Sequence, residues 1–143
     1  MSNSSLAQKV MPIIGLFYVV IGVIGFTITG FGNFVQNTGD TMLGFSVNPF
    51  HNVVHFAIGA FLIVMSLLGP SIAEGACLGV GLFYIVAFVI GVVGESNLTI
   101  ISMFGRGDLE NFNHLLNGVL LLFLGLASTA ATEAQSKRTG IPA

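Results

Sequence analysis

Four stretches of the chain, residues 11–31, 53–69, 76–94 and 115–131, contain no Asp, Glu, Lys or Arg and consist mainly of aliphatic residues, Phe and Gly. A helix that crosses the ~30 Å hydrocarbon layer needs about 20 such residues. Backbone polar groups in lipid must be satisfied within the segment, so helices are the expected form. The second and fourth stretches are short, but each can start earlier. Asn48-Pro49 reads as an N-cap followed by proline at the first helical position. Asp108 is a matching cap for the fourth, with Glu110 favourable in its first turn. The expected fold is all-α, an integral membrane four-helix bundle forming one membrane domain over residues 1–143.

Composition agrees. Charged residues are 7% of the chain and apolar ones 54%, with a mean hydropathy of +0.94. Soluble domains carry about 25% charged residues, so a soluble enzyme is excluded. A disordered chain is excluded too, since that requires low hydrophobicity and high charge. Net charge −2 with four Lys+Arg leaves no basic surface for nucleic acid. Cys77 is the single cysteine and can form no internal disulfide.

Lys9 precedes the first stretch, which is longer than a signal-peptide core and lacks an Ala-x-Ala site, so it reads as a retained anchor. Lys137 and Arg138 follow the fourth stretch, and Arg106 alone lies in a loop on the other side. The positive-inside rule then places both termini in the cytoplasm. Residues 132–143 read as a flexible cytoplasmic tail, and 70–75 as a tight cytoplasmic loop with Pro70 stopping the second helix. The outer loops, 32–47 and 95–107, carry apolar clusters at 42–45 and 100–104 that are expected at the bilayer interface or over the bundle mouth. The sequon at Asn97 and the Arg-Gly-Asp triplet at 106–108 are short enough to arise by chance.

The chain also repeats itself. The segment from Gly15 to Gly25 returns from Gly81 to Gly91, with eight of eleven positions identical. Asn52, His55 and Gly59 return as Asn111, His114 and Gly118 at the same spacing. Hydrophobic composition alone does not reproduce Asn and His in register. Two tandem helical-hairpin repeats follow, over 11–69 and 76–131, with the same membrane orientation and a pseudo-twofold along the membrane normal. Gly22 and Gly25 on the first span, Gly59 on the second, Gly91 on the third, and Gly118 and Gly125 on the fourth are candidates for close helix packing.

Asn52, His55 and Gly59 share one helix face, as do Asn111, His114 and Gly118. With His51, Glu110 and Asn117 they form a polar cluster near the outer ends of the second and fourth spans. An ionisable group in a membrane helix is a candidate functional site. Several readings stay open. The cluster can be structural, with interhelical polar contacts fixing the register of the repeats. It can hold a metal ion through His51, His55 and His114, with Glu110 completing the set. It can bind haem b through His55 and His114, with Gly59 and Gly118 making room for the ring and Arg106 near the propionates. A proton path is disfavoured, because Tyr18 and Tyr84 read as belt or packing aromatics and no polar chain continues inward.

The stretch from Phe45 to Gly59, with Asn48, Pro49, His51, Asn52 and His55 in place, resembles the signature of a family of small four-span membrane proteins common in actinobacteria. Asn111, His114 and Gly118 match its second motif. The resemblance implies a bacterial plasma-membrane location and a four-helix bundle, and it carries no assigned reaction. The expected role is that of a non-enzymatic accessory or structural membrane protein, in a homo-oligomer or larger membrane complex within the lipid bilayer and with no cofactor. The alternative is a metal- or haem-binding, redox-linked protein using His55 and His114.

Overall fold

The computed structural model describes residues 4–94 and 106–140. The sequon at 97–99 and the apolar cluster at 100–104 lie outside the described residues. Four helices, α1 (Leu6–Thr29), α2 (Pro49–Leu67), α3 (Pro70–Val93) and α4 (Leu109–Thr139), are each long and apolar enough to cross a membrane. They form a transmembrane four-helix bundle.

Local sequence explains where three of the helices begin. A capping box opens α1: the Ser5 hydroxyl accepts from the Gln8 N–H, and Gln8 Oε1 accepts from the Ser5 N–H. Asn48 caps α2, its Oδ1 accepting from the His51 N–H at 2.8 Å, with Pro49 at the first helical position. Asp108 caps α4 by accepting from the Glu110 N–H at 3.0 Å.

Three features depart from the sequence reading. Residues 70–75 are not a loop. Pro70 opens α3, and the turn between α2 and α3 is Leu68-Gly69 alone. Gly69 has φ +128°, which an L side chain rarely adopts, and proline needs no N–H partner in the first turn of the next helix. The polar tail is helical as far as Thr139, with Gly140 in the left-handed conformation as its cap. Lys137 and Arg138 sit in the last turn, where they complement the helix dipole. The loop between α1 and α2 holds a small antiparallel hairpin, β1 (Thr41–Met42) and β2 (Phe45–Ser46), joined through Leu43 and Gly44, both at positive φ. β1 touches α1 and β2 touches α4, so the hairpin bridges two helices at the bundle mouth.

The main packing partners are α1 with α2 and α3 with α4. Glycines make both crossings close. A Cβ on Gly15 would lie 2.6 Å from the Gly59 carbonyl oxygen, and one on Gly59 would lie 2.5 Å from the Gly15 oxygen. In the other pair, a Cβ on Gly81 would lie 2.8 Å from the Leu122 nitrogen, and one on Gly118 would lie 2.7 Å from the Ile85 side chain. Gly22 backs onto Asn52 and Phe56, Gly25 onto the Asn52 amide, and Gly125 onto Leu78. Gly91 is buried in α3. Met11, Tyr18, Leu62, Cys77, Tyr84 and Leu121 form the centre of the core. The outward faces carry large exposed apolar side chains such as Ile13, Phe17, Val93 and Phe123, as expected where lipid replaces water.

Candidate functional site

The N-terminal ends of α2 and α4 bring their polar residues into the bundle. His51, Asn52, His55, Glu110, Asn111 and His114 are all buried, and Asn117 is partly buried. One helical turn separates His51 from His55, and their Nε2 atoms are 2.8 Å apart. The same i, i+4 spacing relates Glu110 to His114, with Glu110 Oε2 and His114 Nε2 3.8 Å apart. Across the bundle, the His51 and His114 ring centroids are 6.3 Å apart. One ligand atom each from His51, Glu110 and His114 falls within 4.8 Å of the others. The set is thus contributed by two helices, each presenting a pair of side chains from adjacent turns.

Asn52 and Asn111 lie in this layer but have separate tasks. Asn52 Nδ2 donates to the Thr29 hydroxyl at 2.9 Å and ties α2 to the C-terminal end of α1. Asn111 Nδ2 donates to the Arg106 carbonyl at 3.2 Å and secures the entry to α4. Asn117 belongs to a relay of donors. The Tyr18 hydroxyl donates to Asn117 Oδ1 at 2.7 Å, and Asn117 Nδ2 donates to Asn113 Oδ1 at 2.9 Å. Asn113 Nδ2 in turn points to Glu110 Oε2 at 3.4 Å. The run starts on α1 and ends on the Glu110 carboxylate.

Two tyrosines belong to the site, although sequence reasoning assigned them to belt or packing positions. Tyr18 and Tyr84 are buried in the core, stacked on each other with centroids 6.0 Å apart. Tyr18 packs on His55 at 5.3 Å and Tyr84 on His114 at 5.6 Å. The available signal was the helix face: Tyr18 lies between Gly15 and Gly22, and Tyr84 lies three residues after Gly81.

A second polar group sits at the opposite end of the bundle. Glu74, in the segment read as a loop, is buried in the first turns of α3. Ser128 and Thr132 of α4 donate to its Oε1 at 2.8 and 2.7 Å. The Ser128 hydroxyl also accepts from the Ala7 N–H at 3.0 Å, so one serine satisfies a free donor in the first turn of α1. Gln8 Nε2 donates to the Ser66 carbonyl at 3.0 Å, which joins α2 to the same layer. Between the two polar layers the apolar core is continuous through Met11, Leu62 and Leu121.

The glycines expected to make room for a porphyrin do not face open space. Gly59 is covered by Gly15 and Val19, and Gly118 by Ile85 and Gly81. Tyr18 and Tyr84 pack against the two histidines. Among the described residues these contacts fill the space beside His55 and His114. The residues present fit a small ion better than a macrocycle.

The model of a domain of unknown function (DUF4383) matches residues 8–127. The chain belongs to this family. The matched segment holds the whole histidine and tyrosine layer and ends one residue before Ser128. Comparison with curated proteins and with solved structures finds no match.

Proposed function

We propose that the protein is a non-enzymatic accessory component of a bacterial plasma membrane, with both termini cytoplasmic, and that it docks laterally onto another membrane helix. The observation that carries this reading is a pair of glycines left uncovered. A Cβ added to Gly75 or Gly79 would meet nothing within 4 Å, whereas one on Gly15, Gly59, Gly81 or Gly118 would clash with a neighbouring helix. Gly75 and Gly79 are one turn apart on α3, the small-xxx-small spacing by which helices approach closely in lipid. They border an apolar groove between α2 and α3 of about 340 Å³, whose walls include Val54, Ala57, Phe61 and Phe83. The intended occupant is a transmembrane helix, from a second copy or from a larger complex.

The tandem duplication belongs to the same proposal. Ala7, Met11, Gly15 and Tyr18 of α1 correspond at one constant offset to Ala73, Cys77, Gly81 and Tyr84 of α3, and all eight are buried. His51, Asn52, His55, Gly59 and Leu62 of α2 correspond in the same way to Glu110, Asn111, His114, Gly118 and Leu121 of α4, again all buried. Two copies of one hairpin, packed by the same residues, would supply a rigid frame. The α2/α3 flank would then be the side left for a partner.

The test is site-specific photocrosslinking in native membranes. A crosslinker in place of Gly79 should give one discrete adduct, and the same group in place of the lipid-facing Leu126 should give none. Equal diffuse labelling from both positions would overturn the docking reading.

A further inference from the structure

We infer that the outer layer is a binding site for a divalent transition-metal ion, held by His51, His55, Glu110 and His114. The site does not depend on the α2/α3 groove, so the two readings can fail separately.

The first support is convergence. Each of two helices presents a pair of side chains one turn apart, His51/His55 and Glu110/His114, and His55 joins the other three through its contact with His51. Ligand atoms of His51, Glu110 and His114 already lie within 4.8 Å of one another. Zinc–nitrogen bonds are about 2.0–2.1 Å, which places neighbouring ligand atoms about 3.3 Å apart in a tetrahedron. Closing the remaining gap of about 1.5 Å is within the reach of side-chain rotation alone.

The second support is a hydrogen-bonding deficit. All three histidines are at least nine-tenths buried. The Nδ1 atoms of His55 and His114 have no hydrogen-bond partner among the described residues, while His51 interacts with the Ser46 backbone. Buried polar atoms are nearly always paired, and unpaired ones call for an explanation. His51 and His55 meet nitrogen to nitrogen, so only one of the two facing atoms can carry the proton. An ion on the facing Nε2 atoms would use the lone pairs that this contact sets against each other, and one held through Nδ1 of His55 or His114 would supply the missing partner there.

The third support is the surrounding shell. Metal-binding carboxylates are held in place by outer hydrogen bonds. Glu110 has such a support in the relay from Tyr18 through Asn117 and Asn113, which addresses Oε2, the oxygen that also faces His114 Nε2. Tyr18 and Tyr84 pack at a tilt on His55 and His114 and restrict their ring rotation. A set of imidazoles with one carboxylate suits a borderline divalent ion such as Zn²⁺, Co²⁺, Ni²⁺ or Cu²⁺. It does not select Cu(I), since the thiol of Cys77 is engaged with the Leu121 carbonyl deeper in the bundle.

All three histidines of the chain belong to this layer, so any histidine-specific signal reports on it alone. The full-length protein, purified in detergent through a tag without histidine and stripped with chelator, is titrated with Zn²⁺ and with Co²⁺. We expect close to one ion per chain, intense Co²⁺ d–d bands of tetrahedral type, and ion-dependent protection of the histidines from diethyl pyrocarbonate. His114→Ala and Glu110→Gln should each weaken Zn²⁺ binding by about 100-fold or more, since even outer-shell changes cost about 10–100-fold. Glu74→Gln, at the opposite end of the bundle, should bind as the parent does. Circular dichroism and gel filtration establish whether each variant folds. Where one does not, stoichiometry and histidine protection in the parent protein decide the matter. A parent that takes up no ion at saturating micromolar Zn²⁺, or a folded His114→Ala that binds as tightly, would overturn the assignment and leave the layer as helix-to-helix polar contacts.

Discussion

Replacing Gly59 by alanine tests the packing of the bundle where two helix backbones cross most closely. The new Cβ would lie 2.5 Å from the Gly15 carbonyl oxygen and 2.7 Å from the Val19 nitrogen, while ordinary contact starts at 3.4 Å. Both neighbours are backbone atoms and cannot swing away, so α1 and α2 must part by about 0.9 Å. A gap of that size forfeits about a quarter to a half of the dispersion attraction across the seam. Overpacking of this kind costs about 1–3 kcal/mol. Gly79→Ala is the matched control, because nothing lies within 4 Å of its new methyl group. Removing a helical glycine there should stabilise the protein by about 0.5–1 kcal/mol. The two single-methyl variants should therefore differ by about 1.5–4 kcal/mol, measured by SDS titration in mixed micelles with far-UV circular dichroism. Gly125→Ala should fall between them, since its nearest contact is the movable Leu78 side chain at 2.7 Å. Equal stability of Gly59→Ala and Gly79→Ala would refute the close crossing of α1 and α2.

Four further outcomes follow from individual contacts. Tyr18→Phe removes a hydroxyl bonded to Asn117 and should cost about 0.5–1.5 kcal/mol in the same unfolding assay. Tyr84→Phe should cost less than Tyr18→Phe, since the Tyr84 hydroxyl reaches only the Tyr18 hydroxyl, which keeps its own bond to Asn117. Glu74→Ala strands the Ser128 and Thr132 hydroxyls in the interior and should lose about 1–3 kcal/mol, with Glu74→Gln recovering part of it through its remaining acceptor. Cys77 is fully buried with its thiol on the Leu121 carbonyl, so maleimide labelling should be slow in the folded protein and rise in step with unfolding. Rapid labelling under native conditions would place α3 and α4 further apart than described.

Much of the fold was legible because it depends on short-range chemistry. Charge-free runs long enough to span a bilayer define four helices without reference to any neighbour. Asn48-Pro49 and Asp108 mark helix starts because a cap is satisfied within three residues, and both lie where the structure begins α2 and α4. The helical period likewise set Asn52, His55 and Gly59 on one face, and all three are buried. Other local signals were ambiguous. Proline beside glycine marks both the end of one helix and the first turn of the next, and at Pro70 the second role holds because Gly69 alone reverses the chain. The polar residues after Ala131 carry no membrane signal, yet they are sound helix formers with basic residues at the end, and they extend α4 to Thr139.

What touches what was decided only in three dimensions. Gly59 and Gly118 read equally well as space for a ring and as seats for a helix, and only the placement of Gly15 and Ile85 shows that the seats are taken. Tyr18 and Tyr84 have the composition of interfacial aromatics, and only the pairing of α1 with α2 and α3 with α4 turns them onto the histidines. Glu74 finds its hydroxyl partners more than fifty residues away. The sequence by itself determines helices and their faces, because those follow from spacing along one chain. Contacts between faces depend on how separate helices cross, and that is a property of the assembled bundle.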